Sequence, residues 1–228
     1  MSEMISNVNI IVSDKIFIKN PESSDLGRKI ISGSIDLIDE IGFECFTFRK
    51  LAQKIESTEA SVYRYFENKQ RLLLYLSCWY WSWMEYRLVF RMANIDSAQE
   101  RLGRAIQLFA EKVEEDGSFQ HINEVKLNRI VIAESSKAYM NKHVDEENKI
   151  GAFATYKQLV GRVSDLVLEL RPDYKYPHML ISAVIEDAHQ QRFFAEHLPR
   201  LTDKVQGEDS IVEFHKDLVF KTLELNNN

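Results

Sequence analysis

Cysteine is almost missing from this chain: Cys45 and Cys78 are the only two in 228 residues. Two thiols cannot build a disulfide framework, and their scarcity fits a reducing compartment. Glycine (8) and proline (4) are also rare, so few turns are punctuated and long helices are favoured. No apolar run reaches the roughly 18 residues of a membrane span. The first residues lack the basic-then-apolar layout of a signal peptide, so a cytoplasmic protein without membrane contact is expected. There is no glycine-rich phosphate loop and no Gly-x-Ser-x-Gly elbow. Glu186 and His189 have the one-turn spacing of a di-iron bundle, but such a site needs two copies in that order. His121 with Glu124 and His143 with Glu146 run the other way. Neither cysteine has a basic neighbour in sequence to mark an activated thiol. No metal, no cofactor and no catalysis are therefore expected.

What the chain does have is helical periodicity almost throughout. Hydrophobic residues make up 45% and charged residues 28%, an ordinary globular balance, and no internal repeat appears. Leu26, Ile30, Ser34, Leu37, Ile38 and Ile41 form one stripe, with Ser23 or Ser24 placed to cap its start and Gly42 to end it. Phe43, Phe46 and Phe48 follow and should seal a small core. Residues 1–24 read as a partly ordered arm with brief extended pieces at 9–12 and 15–18. The arm either packs its apolar residues on the body or, with only Lys15 and Lys19 to help, reaches a DNA minor groove.

Residues 47–72, TFRKLAQKIESTEASVYRYFENKQRL, organise the rest. Thr47 caps a short helix carrying Phe48, Leu51, Ala52 and Ile55. Polar residues 56–59 turn the chain into a second short helix whose Val62 and Phe66 face inward together. Ser61, Tyr63, Arg64 and Tyr65 are expected near the surface, where hydroxyls, rings and a cation suit phosphates and base edges. The net charge of −6 argues against nucleic acid, but its distribution argues for it. Between Thr47 and Arg71, six basic residues (Arg49, Lys50, Lys54, Arg64, Lys69, Arg71) stand against three acidic ones (Glu56, Glu59, Glu67), a local balance of +3.

This stretch resembles the helix-turn-helix of the tetracycline-repressor (TetR) family of bacterial transcription regulators. The likeness rests on Thr47 with Leu51-Ala52, on residues 61–66, on Asn68-Lys69 and on Leu72, and extends back over residues 26–42. Three departures stand out: Glu56 where the corner usually has glycine, Ser57 where a small apolar residue is usual, and Ala60 where glycine is common. A left-handed backbone at Glu56 would cost about 1 kcal/mol relative to glycine. The resemblance implies an all-α protein. A helix-turn-helix domain at 25–72 would be joined through a long fourth helix to an effector-binding and dimerisation domain at 73–228. The partners it implies are double-stranded DNA, a second copy of the chain and a small effector. Thr47, Tyr63 and Lys69 would hold phosphates, while Ser57, Thr58, Glu59, Ser61 and Arg64 would reach bases, Arg49 and Tyr65 completing the surface. For each hydroxyl, helix capping is the competing role.

From Lys69 the helical pattern runs unbroken to about residue 92. Its aromatic stripe either packs as core or lines a cavity for an apolar effector, and Trp79, Trp83, Tyr86, Phe109 and Tyr156 are the pocket residues that this facing suggests. Further helices are expected at about 97–115, 121–141, 145–170, 178–197 and 211–225. The fourth and fifth of these either complete the chain's own core or pair in the dimer that the resemblance implies, with Val184, Ile185, Ala188, Phe193, Phe214 and Leu218 at the interface. Two functions compete: a homodimeric regulator, most often a repressor in this family, and a helical ligand-binding or adaptor protein that no longer reads DNA. The acidic total and Glu56 and Glu59 at the corner favour the second weakly.

Overall fold

The computed structural model describes residues 10, 12–115, 117 and 119–225, which form ten α-helices, two short 3-10 turns and no strand. Among these residues no helix is long and apolar enough to cross a membrane. The chain divides into two compact units, residues 1–83 with 114–155, and residues 84–113 with 156–228. Within the first unit, the helix that starts at Glu124 packs on the first helix of the head.

In the first unit, α1 (Asp25–Cys45) starts where Ser24 accepts the Gly27 amide through its hydroxyl. Gly27 is needed there: a Cβ would sit 2.1 Å from the Pro21 carbonyl oxygen of the arm that crosses it. Of the predicted stripe, Ile30, Ser34, Leu37 and Ile38 are buried and Leu26 and Ile41 are half-buried. Gly42 (φ 75°) breaks the helical backbone as expected, and residues 43–45 add one more turn. Helices α2 (Phe48–Lys54) and α3 (Glu59–Tyr63) follow, capped by Thr47 and Thr58. Phe46, Leu51, Val62 and Phe66, all fully buried, close the head around α1. The arm contributes to the same core: Ile16 is buried, and the Ile18 amide donates to the Tyr65 carbonyl at 2.8 Å. Its earlier piece at 9–12 lies largely outside the described residues.

Helix α4 (Lys69–Met92) has the bounds that its periodicity predicts. It is enclosed almost all round rather than along one stripe, since Leu72–Leu74, Tyr75, Leu76, Trp79, Tyr80, Trp81 and Trp83 are all buried.

Helix α6 (Glu124–Tyr139) lies against α1. It starts later than predicted because the Asn123 side chain accepts the Lys126 amide at 2.9 Å. The helix expected at 145–170 is two helices, α7 (Val144–Lys149) and α8 (Ala154–Leu170), parted by a turn at Gly151 (φ 86°). A positive φ interrupts the helical ladder there.

In the second unit, α5 (Ala98–Ala110) packs against α9 (Pro177–His197) and α10 (Ser210–Thr222), and α9 packs against α10. Helix α5 stops at Ala110, short of the predicted end, because other side chains capture its last groups. Arg192 Nε donates to the Ala110 carbonyl at 2.7 Å, and Arg87 and Arg91 hold the Glu111 carboxylate.

Candidate nucleic-acid interface

The head presents α3 to solvent by a sequence of local restraints. Helix α2 ends in a pair of closing bonds, Glu56 amide to Gln53 carbonyl (3.3 Å) and Ser57 amide to Ala52 carbonyl (2.9 Å). This is a Schellman closure, and it requires the residue after the cap to be left-handed. Glu56 adopts φ 52°, the conformation that glycine would occupy without steric cost. The chain then re-enters a helix at Thr58, whose hydroxyl accepts the Ser61 amide at 3.2 Å and lies 2.8 Å from the Ser61 hydroxyl.

Those contacts sort the expected DNA-binding residues. Thr47, Arg49, Thr58, Glu59, Tyr63 and Arg64 are exposed, and Ser57 is half-exposed. Tyr63 is 48% exposed, its ring held edge-on against Phe48 at 5.0 Å, so the hydroxyl points outward from a fixed base. Arg49 and Arg64 enter no ion pair among the described residues, leaving both charges available. Thr47 and Thr58 both cap helices, which uses one acceptor site on each hydroxyl, and the Thr58 hydroxyl is engaged a second time by that of Ser61.

Three expectations change. Tyr65 is buried (3% exposed): its hydroxyl lies 2.8 Å from that of Ser24 and its ring lies under Lys19, because residue 65 has passed the end of α3 and turned into the core. Ser61 is buried on the inner side of α3, against Thr58. Lys69 is directed inward. Its ammonium donates to the carbonyls of Phe43, Glu44 and Phe46 at 3.0, 3.2 and 3.3 Å and sits over the Phe43 ring at 4.7 Å. An ammonium has three protons, and all three face the end of α1 rather than a phosphate. Two residues not expected to touch DNA belong to the exposed surface. Ala60 stands in the first turn of α3 and Lys50 stands beside Thr47. Lys50 enters the local charge balance, but nothing in a lone alanine marks it in sequence.

The residues expected in an effector pocket fall in both units. Trp79 and Trp83 lie in the first unit, stacked at 6.5 Å, and Tyr86, Phe109 and Tyr156 lie in the second. Trp83 is fully buried, Phe109 nearly so, and the Tyr156 hydroxyl donates to Glu186 at 2.9 Å. Trp79 borders a cavity of about 500 Å³ inside the first unit. The expected dimer face also divides. Val184, Ile185 and Ala188 are buried within the chain's own core, Ala188 with Ala110, Ile211 and Val212, and so cannot meet a partner. Phe193, Phe214 and Leu218 are 39%, 52% and 39% exposed.

Residues 30–76 match the model of the tetR family of bacterial regulatory proteins. No curated protein matches the chain by sequence. Solved structures share its fold at low identity. The TetR family transcriptional regulator PfmR of Thermus thermophilus is 14% identical, with a TM-score of 0.56 over 87% of this chain and 99% of its own. A tetR-family regulatory protein of Rhodococcus is 12% identical, with a TM-score of 0.59 over 90% and 100%. AibR, in a complex with isovaleryl coenzyme A and operator DNA, is 17% identical, with a TM-score of 0.57 over 85% and 97%. Residues 30–76 thus carry the domain that the tetR family model describes, on a fold that such regulators share.

Proposed function

We propose that the chain is a transcriptional repressor that binds a near-palindromic operator as a homodimer and is released by a small, largely apolar effector. The observation that carries this reading is the outward pair Tyr63 and Arg64 at the end of α3, beside exposed Arg49 and Thr47 on α2. Arg49, Lys50, Tyr63 and Thr47 would hold phosphates, and Ser57, Glu59, Ala60 and Arg64 would read base edges. Two such heads, about 34 Å apart, would enter successive major grooves. The exposed line of Phe193, Phe214 and Leu218 is the surface we assign to the second copy, because rings and aliphatic groups left in water favour burial. An effector would act by binding more tightly to the form whose head spacing misses the grooves. AibR, which has been seen with both a ligand and operator DNA, makes such a cycle a reasonable model for this chain.

The competing function, a helical adaptor without sequence-specific DNA binding, draws on Glu56 and Glu59, both exposed at the corner. A gel-shift titration with the DNA upstream of the chain's own gene separates the two. Saturable binding that falls steeply with salt supports the repressor, whereas equal and feeble binding to any duplex supports the adaptor.

A further inference from the structure

The cavity of about 500 Å³ in the first unit is bounded by the rings of Phe17, Tyr75, Trp79 and Phe119 and, among the described residues, by a single carboxylate. Phe17 stands edge-on to Tyr75 at 6.0 Å, and Phe119 stands edge-on to Trp79 at 5.1 Å, so two T-shaped pairs form the walls. Val12 of the arm also borders the space. The acid is Glu22, in the short 3-10 turn before α1, with its side chain about one-third exposed. The volume suits a ligand of small-molecule size, and the aromatic walls share the lining with the polar side chains of Asn20, Glu22, Arg28 and His121.

From this arrangement we infer that the cavity under the N-terminal arm binds an organic ammonium ion with an apolar or aromatic body. The rings carry negative π-faces that attract a cation placed within about 6 Å of a ring centre. Glu22 supplies the opposite charge, and its capacity is not exhausted. Oε1 receives the Tyr75 hydroxyl at 3.3 Å and lies 3.0 Å from His121 Nε2, while Oε2 is 2.9 Å from the same nitrogen. A carboxylate offers about four acceptor positions, so an incoming ammonium can share it with the two residues already there. Arg28 also borders the cavity, but its guanidinium is held by the Glu22 carbonyl at 2.7 Å and by Asp25 at 2.5 Å. Its charge is thereby turned toward Asp25 and offset. An anionic ligand would meet Glu22 with no free arginine or lysine among the described lining residues to balance it. A neutral one would leave the carboxylate without gain.

The site does not depend on DNA binding, so the test uses the full chain alone, and its failure leaves the head's function untouched. The probes are benzyltrimethylammonium, benzyl alcohol and phenylacetate, titrated by calorimetry with tryptophan fluorescence as a second readout. Benzyltrimethylammonium should bind saturably and at least about tenfold more tightly than either of the others, and Glu22→Gln should weaken it about tenfold. Absence of saturable binding, benzyl alcohol binding as tightly as the cation, or undiminished affinity in Glu22→Gln each overturns the assignment. Should Glu22→Gln fail to fold, Phe17→Leu takes its place. That variant removes one wall ring and should weaken the cation more than benzyl alcohol, and equal weakening of both overturns the assignment.

Discussion

Arg129 of α6 grips Asp39 of α1 with both prongs of its guanidinium, Nε at 2.8 Å and Nη2 at 2.7 Å from the two carboxylate oxygens. Lys126 holds Asp36 at 2.5 Å one turn earlier, and Lys137 holds Glu44 at 2.9 Å further along. Three bases on one helix thus meet three acids on the head's first helix, in register. The pairs are partly exposed, so their value lies in fixing orientation more than in stability. A double-mutant cycle with Asp39→Asn and Arg129→Met should give a coupling of about 0.5–1 kcal/mol in dilute buffer. Repeating the urea titrations in roughly 0.5 M salt should shrink that coupling, since ions screen a surface pair.

Lys69 and Tyr63 should behave oppositely. Lys69→Met removes three donors from the carbonyls at the end of α1 and should lower unfolding stability by about 2 kcal/mol. Tyr63→Phe removes only an outward hydroxyl and should change stability by less than about 0.5 kcal/mol while weakening DNA binding. Urea unfolding of both variants, beside a DNA titration of the second, checks the contrast.

Glu56 is left-handed at the corner of the head, and the same backbone suits glycine. Glu56→Gly should raise stability by about 0.5–1 kcal/mol, the steric relief being partly offset by the entropy of glycine in the unfolded chain. A higher thermal midpoint is the expected reading.

Burial lowers the pKa of His189 from 6.5 to about 4, with Glu186 opposing the shift. The folded chain therefore keeps this ring neutral where the unfolded chain takes up a proton. The sign follows: its contribution to stability is unaffected above pH 6.5 and is lost as pH falls from there toward about 4. Between about pH 7 and 5 the wild type should lose about 2 kcal/mol more than His189→Gln loses. Unfolding curves at the two pH values measure the difference.

Much of the head was readable from sequence because its signals are local. A cap such as Ser24, Thr47 or Thr58 satisfies an amide three residues on, and Gly42 stops a helix by its own backbone freedom. Helix α4 was readable from end to end because nothing interrupts its periodicity. What was missed depends on distant neighbours. Lys69 had a choice between a phosphate and the carbonyls of residues 43–46, and only the fold places those carbonyls within reach. Helices α9 and α10 each carry more apolar residues than one face needs. Periodicity groups Val184 with Ile185 and Ala188, but it cannot say that this group faces the chain's own α5 and α10 while Phe193, Phe214 and Leu218 face out. The early end of α5 was set by Arg192, about 80 residues away in sequence.

Seating of the cationic head on a duplex through α2 and α3 is measured most directly by fluorescence anisotropy on the DNA upstream of the chain's own gene, repeated over a salt series. The wild type should bind that duplex at least about a hundredfold more tightly than an unrelated one, with affinity falling steeply as salt rises. Arg49→Ala should reduce the salt slope by about 1 per head, and Arg64→Ala should reduce the preference for the upstream duplex. Equal, weak binding to both duplexes, with a slope that neither substitution alters, would contradict it.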